Sequence, residues 1–264
     1  MKLVDLFDHF IVDLDGVVYI GDKPTQGAIE TLETIRKLGK TVIFLTNDPR
    51  GSSIEYAEKL SRIGIPTSPQ DIITSGVAIA HYIKEQYQTN HKKAFVVGSR
   101  ALKEEIEKTG LKLTKGEEAK KADFVIIGGH QEFNYEEMKL ATLAIINGAH
   151  FLATNRDPVF PTPEGLVPAT GAILASIEYA TGKKATIAGK PEVIMFEIAK
   201  KFFSSHERIA IIGDRLDTDI LGGKRAGIST IFALSSSTNQ DIISKSDITP
   251  DYVINDLRCL LKEQ

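Results

Sequence analysis

Short apolar runs rich in β-branched residues recur along the whole chain, and between them the apolar positions return every three or four residues. The runs predict strands at 10–14, 41–46, 93–98, 123–128, 150–154, 185–188, 208–213, 229–233 and 252–254. Between the first two, Ile29, Leu32, Ile35 and Leu38 form one stripe of a helix over 25–38. It stops at Gly39, a residue suited to the left-handed turn past a helix end. Ser52-Ser53-Ile54-Glu55 reads as a capping box opening a second helix that ends near Gly64. Helical periodicity also covers 138–147 and 172–180, and Pro191 is placed in the first turn before Val193-Ile194-Met195-Phe196. Strands alternating with helices imply βαβ units, hence an α/β fold with a mostly parallel, covered sheet.

A length of 264 residues is long for one doubly wound sheet, and the middle third has a β-α-β-α-β-α order of its own. The expected organisation is therefore a core in two parts, 1–79 and 184–264, with a second α/β domain inserted at 80–183. Composition narrows the partners. Lys plus Arg number 32 against 35 Asp plus Glu, a net charge of −3, so no basic excess exists to neutralise a polyanion and no nucleic-acid partner is expected. No apolar run exceeds four residues, so no membrane-spanning helix and no membrane partner are expected. The first eight residues carry acids where a signal peptide needs an apolar stretch. A single cysteine, Cys259, and the absence of any N-x-S/T sequon point to a reducing, cytoplasmic compartment.

The chemistry gathers at strand ends, where open α/β sheets bind their ligands. The first strand runs into Asp13-Leu14-Asp15-Gly16-Val17, two carboxylates one residue apart followed by a glycine that lets the backbone turn and bring an N–H to an anion. A plain loop entry has similar composition. The second ends in Thr46-Asn47-Asp48, a hydroxyl and an amide able to bind an anion oxygen without adding charge, although turn chemistry accounts for them equally. Lys190, in Ala188-Gly189-Lys190-Pro191, follows a strand and precedes a Pro-started helix, so its ammonium and the positive helix end would face one place. A solvent-facing lysine is the alternative. The last is Gly213-Asp214-Arg215-Leu216-Asp217-Thr218-Asp219, in which an acidic helix start accounts for Asp217 and Asp219 better than for Asp214.

Together these ends supply several carboxylates, one lysine and one hydroxyl. Adjacent carboxylates repel by about 4 kcal/mol at roughly 4 Å in an effective dielectric near 20, so such a cluster calls for a cation. No His or Cys falls within the four motifs, and the six histidines (His9, His81, His91, His130, His150, His206) form no H-E-x-x-H pattern. An all-oxygen donor set selects a hard ion, Mg²⁺ above all. Mg²⁺ with a lysine and a hydroxyl is equipment for holding a phosphate, and an aspartate nucleophile then allows an aspartyl-phosphate.

In this order the four motifs resemble those of the haloacid dehalogenase-like phosphatase superfamily. Ala153-Thr154-Asn155-Arg156-Asp157-Pro158, Ala188-Gly189-Lys190-Pro191 and Thr218-Asp219-Ile220-Leu221-Gly222-Gly223 further resemble its class IIA branch, the NagD or 4-nitrophenylphosphatase group. The resemblance covers nearly the whole chain. It implies a Rossmann-like core and an α/β cap inserted between the second and third motifs. By the same resemblance Asp13 attacks phosphorus, and Asp15 protonates the leaving alkoxide and then deprotonates the attacking water. Mg²⁺ is held by the Asp13 carboxylate, the Asp15 backbone carbonyl and Asp214. Thr46 and the backbone after Asp15, at Gly16, hold phosphate oxygens, Asn47 places the substrate, and Lys190 offsets charge. Asp219 orients water or Lys190 rather than ligating the metal. Asp48 departs from the residue many relatives carry there.

Segment 155–168 carries Pro158, Pro161, Pro163 and Pro168, which predicts a stiff, irregular loop. In class IIA relatives the corresponding cap loop selects the leaving group, making Asn155, Arg156, Asp157 and Phe160 candidate contacts; for Arg156 a plain surface charge is the alternative. A capped site suits a small phosphorylated metabolite: a glycerol or sugar phosphate, a nucleoside monophosphate, phosphoglycolate or pyridoxal phosphate. Cap-mediated homo-oligomers also occur in this branch. The main reading is a Mg²⁺-dependent phosphatase. The rivals are a signalling module phosphorylated on aspartate, or another superfamily reaction such as phosphomutase or dehalogenase. A receiver's acceptor follows its third strand, whereas Asp13 follows the first, and only an alkoxide leaving group benefits from the acid at Asp15.

Overall fold

The computed structural model describes residues 1–264 except 163, 204–207, 235–242 and 264. Pro163 and His206, both noted above, lie outside the described residues. The chain divides into two compact units, one of Met1–Thr46, Ser53–Ile73 and Lys190–Gln264, the other of Asn47–Ser52 and Thr74–Gly189. The insertion expected at 80–183 lies within the second unit, which begins earlier, ends later and also takes in the short segment after Thr46.

The first unit holds, but for the last residue Thr74, a six-stranded sheet in the order Tyr252–Ile254, Ser229–Ala233, Ile209–Gly213, His9–Asp13, Thr41–Thr46, Ile72–Thr74. The first five strands pair in parallel. Phe10, Ile11 and Val12 in the central strand are fully buried, as an apolar run covered on both faces requires. The chain lays strands to one side from His9–Asp13 and to the other from Ile209–Gly213. The boundary between these two strands is the topological switch point, where ligands of such sheets bind. The helix Ala28–Lys37 is shorter than the expected 25–38: Gly27, at φ 76°, turns the chain into it, and Gly39, at φ 74°, turns the chain away. It buries Leu32 and Ile35 completely, each side chain contributing about 1.5–3 kcal/mol. Leu14, Phe44, Leu60 and Ile212 belong to the same core. One expectation shifts: the helix after Lys190 spans Val193–Lys200 with Glu192 as its cap, so Pro191 precedes it instead of occupying its first turn. Cys259 packs, partly buried, against the core.

The second unit has a five-stranded, all-parallel sheet in the order Thr186–Ile187, His150–Ala153, Phe124–Ile127, Lys93–Val97, Lys112–Leu113. Its core joins Val97, Val125, Ile127 and Phe151 to Leu140, Ile145, Leu174 and Ile177 from its helices. Helices Ser75–Gln86, Arg100–Glu107 and Tyr135–Ile146 are capped by Thr74, Ser99 and Asn134, whose side chains accept the N–H of Val77, Leu102 and Glu137.

The irregular loop expected over 155–168 is instead partly a hairpin, Val159–Thr162 antiparallel to Gly165–Pro168. Pro161 pairs with Leu166 and Pro168 with Val159, two positions apart along the ladder and so in the same class of pair. A proline has no N–H to donate, so these are the pairs whose amides point away from the partner strand. No helix among the described residues is long and apolar enough to cross a membrane.

Candidate active site

Three adjacent parallel strands end where the sequence motifs lie. Asp13 is the last residue of the central strand and pairs with Leu45, one residue before Thr46. On the other side Val12 pairs with Ile212, so the neighbouring strand delivers Asp214 just past its end. Lys190 follows Gly189 into the same place. Its Nζ donates to Asp13 Oδ1 at 2.5 Å and to Asp219 Oδ1 at 2.6 Å. Carboxylate oxygens of Asp13, Asp214 and Asp219 all lie within 4.8 Å of one another.

All four side chains are buried, as is Thr46. Burial pushes the Asp13 carboxyl well above the usual carboxylate range; Lys190 opposes this, and Asp219 and Asp214 reinforce it. Burial pulls the Lys190 ammonium down, but Asp13 and Asp219 outweigh it, so its affinity for the proton is raised. Asp219 also accepts the backbone N–H of Arg215 at 3.2 Å with its second oxygen. It thus serves as the anchor for both Lys190 and the turn after Asp214. Asp217 points elsewhere and forms an exposed pair with Arg215.

Asp15 and Gly16 sit in the turn beyond Asp13. Asp15 is exposed and its Oδ2 accepts the Tyr19 phenol at 3.3 Å. Gly16 takes φ 89°, and a Cβ there would lie 2.2 Å from Asp214 Oδ2. Its N–H does not face outward to an anion, as the sequence suggested, but donates to the Tyr19 carbonyl at 2.8 Å. What the site requires at this position is the missing side chain.

The remaining sequence candidates belong to the second unit. Asn47 Nδ2 donates to Asp157 Oδ2 at 2.9 Å, and its carbonyl accepts from Asn155 Nδ2 at 2.7 Å and Ser75 Oγ at 2.5 Å. Arg156 makes a two-pronged pair with Glu178 at 2.6 and 3.0 Å. Lys184 Nζ and the Ala185 N–H complete the shell of that buried carboxylate at 2.7 and 3.1 Å. The Arg156 guanidinium beside it, with Lys184, holds the Glu178 carboxyl down at about 2. Phe160 lies under the guanidinium of Arg50, 3.9 Å from ring centroid to Cζ, while Asp48 grips the same guanidinium at 2.7 and 2.8 Å. Glu178 and Arg50 were not evident from sequence. Glu178 stands 22 residues from Arg156 on a helix where any glutamate looks ordinary.

Residues 10–112 match the haloacid dehalogenase-like hydrolase family, and residues 187–260 match a second, HAD-hydrolase-like one. An acid sugar phosphatase of Staphylococcus epidermidis is 32% identical over 97% of this chain and 98% of its own. The chain belongs to the haloacid dehalogenase-like hydrolases. Solved relatives agree in fold throughout. A 4-nitrophenylphosphatase from Thermotoga maritima superposes with a TM-score of 0.91 at 32% identity, covering 100% of this chain and 99% of that one. A glycerol phosphate phosphatase from Mycobacterium tuberculosis, in complex with magnesium, gives 0.90 at 31% identity over 98% of this chain and 78% of its own. These neighbours match the class IIA resemblance read from the motifs.

Within this hydrolase fold the acidic group suits a hard cation. Its three possible ligands are all carboxylates, with one ammonium among them, and the charges of Asp219 and Asp214 add to the burial that holds Asp13 up. Both Asp219 oxygens already accept hydrogen bonds, from Lys190 and from the Arg215 N–H. Oxygen ligands alone favour Mg²⁺ over softer ions.

Proposed function

We propose that the protein is a Mg²⁺-dependent phosphatase that hydrolyses small phosphomonoesters through an aspartyl-phosphate at Asp13. The observation that carries this reading is the convergence of Asp13, Lys190, Asp214 and Asp219 where the adjacent strands His9–Asp13 and Ile209–Gly213 end. Asp13 and Asp214 would hold Mg²⁺, with the Asp15 backbone carbonyl in reach by likeness to the family. When bound, the metal offsets the charge between the nucleophile and the phosphoryl oxygens.

The chain's own residues account for the two displacements. An Asp13 carboxylate oxygen bonds to phosphorus as the ester P–O bond breaks, and Asp15 gives its proton to the departing oxygen. Asp15, now a carboxylate, takes a proton from water. That water oxygen bonds to phosphorus, the acyl-phosphate P–O bond breaks, and Asp13 is regenerated with release of phosphate. Lys190 keeps the Asp13 oxygen directed and neutralises charge, Asp219 fixes Lys190, and the Thr46 hydroxyl holds a phosphoryl oxygen. Asp15 favours a phosphatase over a dehalogenase, whose halide leaving group needs no proton.

The relatives' names, an acid sugar phosphatase and a glycerol phosphate phosphatase, support a sugar or glycerol phosphate as the substrate class. Within the second unit, Asn47, Asp157 and the hairpin bearing Phe160 are proposed as the elements that choose among leaving groups. The test is turnover of 4-nitrophenyl phosphate with and without Mg²⁺ in the wild type and in Asp13→Asn. The expected result is metal-dependent turnover in the wild type and none in the variant; undiminished turnover in Asp13→Asn would falsify the nucleophile assignment.

A further inference from the structure

The carboxylate proposed to act as acid and base is exposed on a turn, whereas its three acidic neighbours are buried. An exposed aspartate samples several rotamers unless something selects one. Tyr19 is placed to select it. The residue is fully buried, and its phenol O–H reaches out of the core to Asp15 Oδ2 at 3.3 Å. The turn is closed by its own backbone: Gly16 N–H to Tyr19 carbonyl at 2.8 Å, Val18 N–H to Leu14 carbonyl at 2.9 Å, and a bridge between Asp15 and Tyr19. Thr25 Oγ donates to the Val17 carbonyl at 2.5 Å and fastens the turn from behind. On the ring's face, Lys59 Nζ lies 3.7 Å from the centroid, carried by the helix Ser53–Arg62. An ammonium there draws electron density from the ring, which strengthens the phenol as a donor.

We propose that Tyr19 is a positioning residue that holds the Asp15 carboxyl toward the leaving-group oxygen, with Lys59 fixing and polarising the ring. The inference rests on the acid–base role given to Asp15 above. A buried tyrosine needs a partner for its hydroxyl in any case, so the test must read something that packing alone does not move. That readout is the dependence on leaving group. The ratio kcat/KM covers the steps through phosphoryl transfer to Asp13, in which Asp15 protonates the departing oxygen. 4-Nitrophenolate leaves readily without a proton, and phenolate does so less readily.

The experiment compares kcat/KM for 4-nitrophenyl phosphate and phenyl phosphate in wild type, Tyr19→Phe, Lys59→Met and Asp15→Asn, with thermal melting alongside. Tyr19→Phe keeps the ring and removes only the hydroxyl. The expected result is a loss about threefold to tenfold greater on phenyl phosphate than on 4-nitrophenyl phosphate, the range for losing one hydrogen bond to a charged group with long geometry. Lys59→Met should show a smaller split in the same direction, and Asp15→Asn a larger one. If Asp15→Asn separates the substrates and Tyr19→Phe lowers both equally or neither, the positioning role is overturned while the role of Asp15 stands. If Asp15→Asn fails to separate them, the acid assignment falls and the inference about Tyr19 falls with it.

Discussion

Replacing Gly16 by alanine puts one methyl group against the acidic cluster. The added Cβ would start 2.2 Å from Asp214 Oδ2 and 2.7 Å from its Cγ, and real contacts essentially never fall below 3.0 Å, so the carboxylate must retreat by about 0.8 Å. The backbone cannot easily yield instead, because the Gly16 N–H is tied to the Tyr19 carbonyl. The φ of 89° also disfavours any residue with a side chain; that strain costs about 1–3 kcal/mol of stability. Displacing a catalytic group by about 1 Å costs roughly 100-fold in rate. Gly16→Ala is therefore expected to retain its fold with a lowered melting temperature, to lose about 100-fold in turnover of 4-nitrophenyl phosphate, and to need more Mg²⁺ for half-maximal rate. Steady-state kinetics across a Mg²⁺ series, with thermal unfolding of both proteins, gives all three quantities. Turnover within about threefold of wild type at equal Mg²⁺ would show that the close approach of Asp214 to this glycine has no bearing on the chemistry.

Two further substitutions probe the anchors. Asp219→Asn leaves Lys190 with one anionic partner instead of two, and a loss of about 10–100-fold in kcat is expected without loss of fold; an unchanged kcat would remove Asp219 from the account. Glu178 has a folded-state carboxyl depressed from 4.5 to about 2, so its contribution is complete above about pH 4.5 and is lost as pH falls toward 2. The full shift corresponds to about 3 kcal/mol. Arg156 and Lys184 are 42% and 78% exposed, so solvent screening brings the expected cost of Glu178→Gln at neutral pH down to about 1–2 kcal/mol. Urea unfolding should show that gap at neutral pH and a narrower one near pH 3; a gap independent of pH would contradict the ion-pair explanation.

The part of this molecule that sequence reveals is the part in which a single local rule suffices. The runs ending at Asp13, Thr46 and Gly213 are apolar because their strands are covered on both faces, and a polar group just beyond such a run has few places to be except the sheet's carboxyl edge. Lys190 is visible only through its order among these motifs. Its two anionic partners lie 177 and 29 residues away, and no spacing announces them. The same holds for Lys59 over Tyr19 and for Glu178 beneath Arg156, where each residue alone is an ordinary helix-surface type. The hairpin of Val159–Thr162 and Gly165–Pro168 was hidden by Pro161 and Pro168, which count against a strand until one knows that they fall in pairs needing no amide donor. That Asn47–Ser52 belongs with the second unit is likewise invisible locally, because its partners there lie far along the chain: Ser99 Oγ donates to the Pro49 carbonyl and Ser75 Oγ to that of Asn47.

Whether Asp13 and Asp214 share one divalent cation is tested, without reference to any substrate, by calorimetric titration of the purified protein with Mg²⁺ alone. Wild type should bind one Mg²⁺, and Asp214→Asn should bind it more weakly by at least about 10–100-fold, the loss seen when even an outer partner of a metal ligand is removed. Mg²⁺ binding of equal strength in the two proteins would contradict the account at its centre.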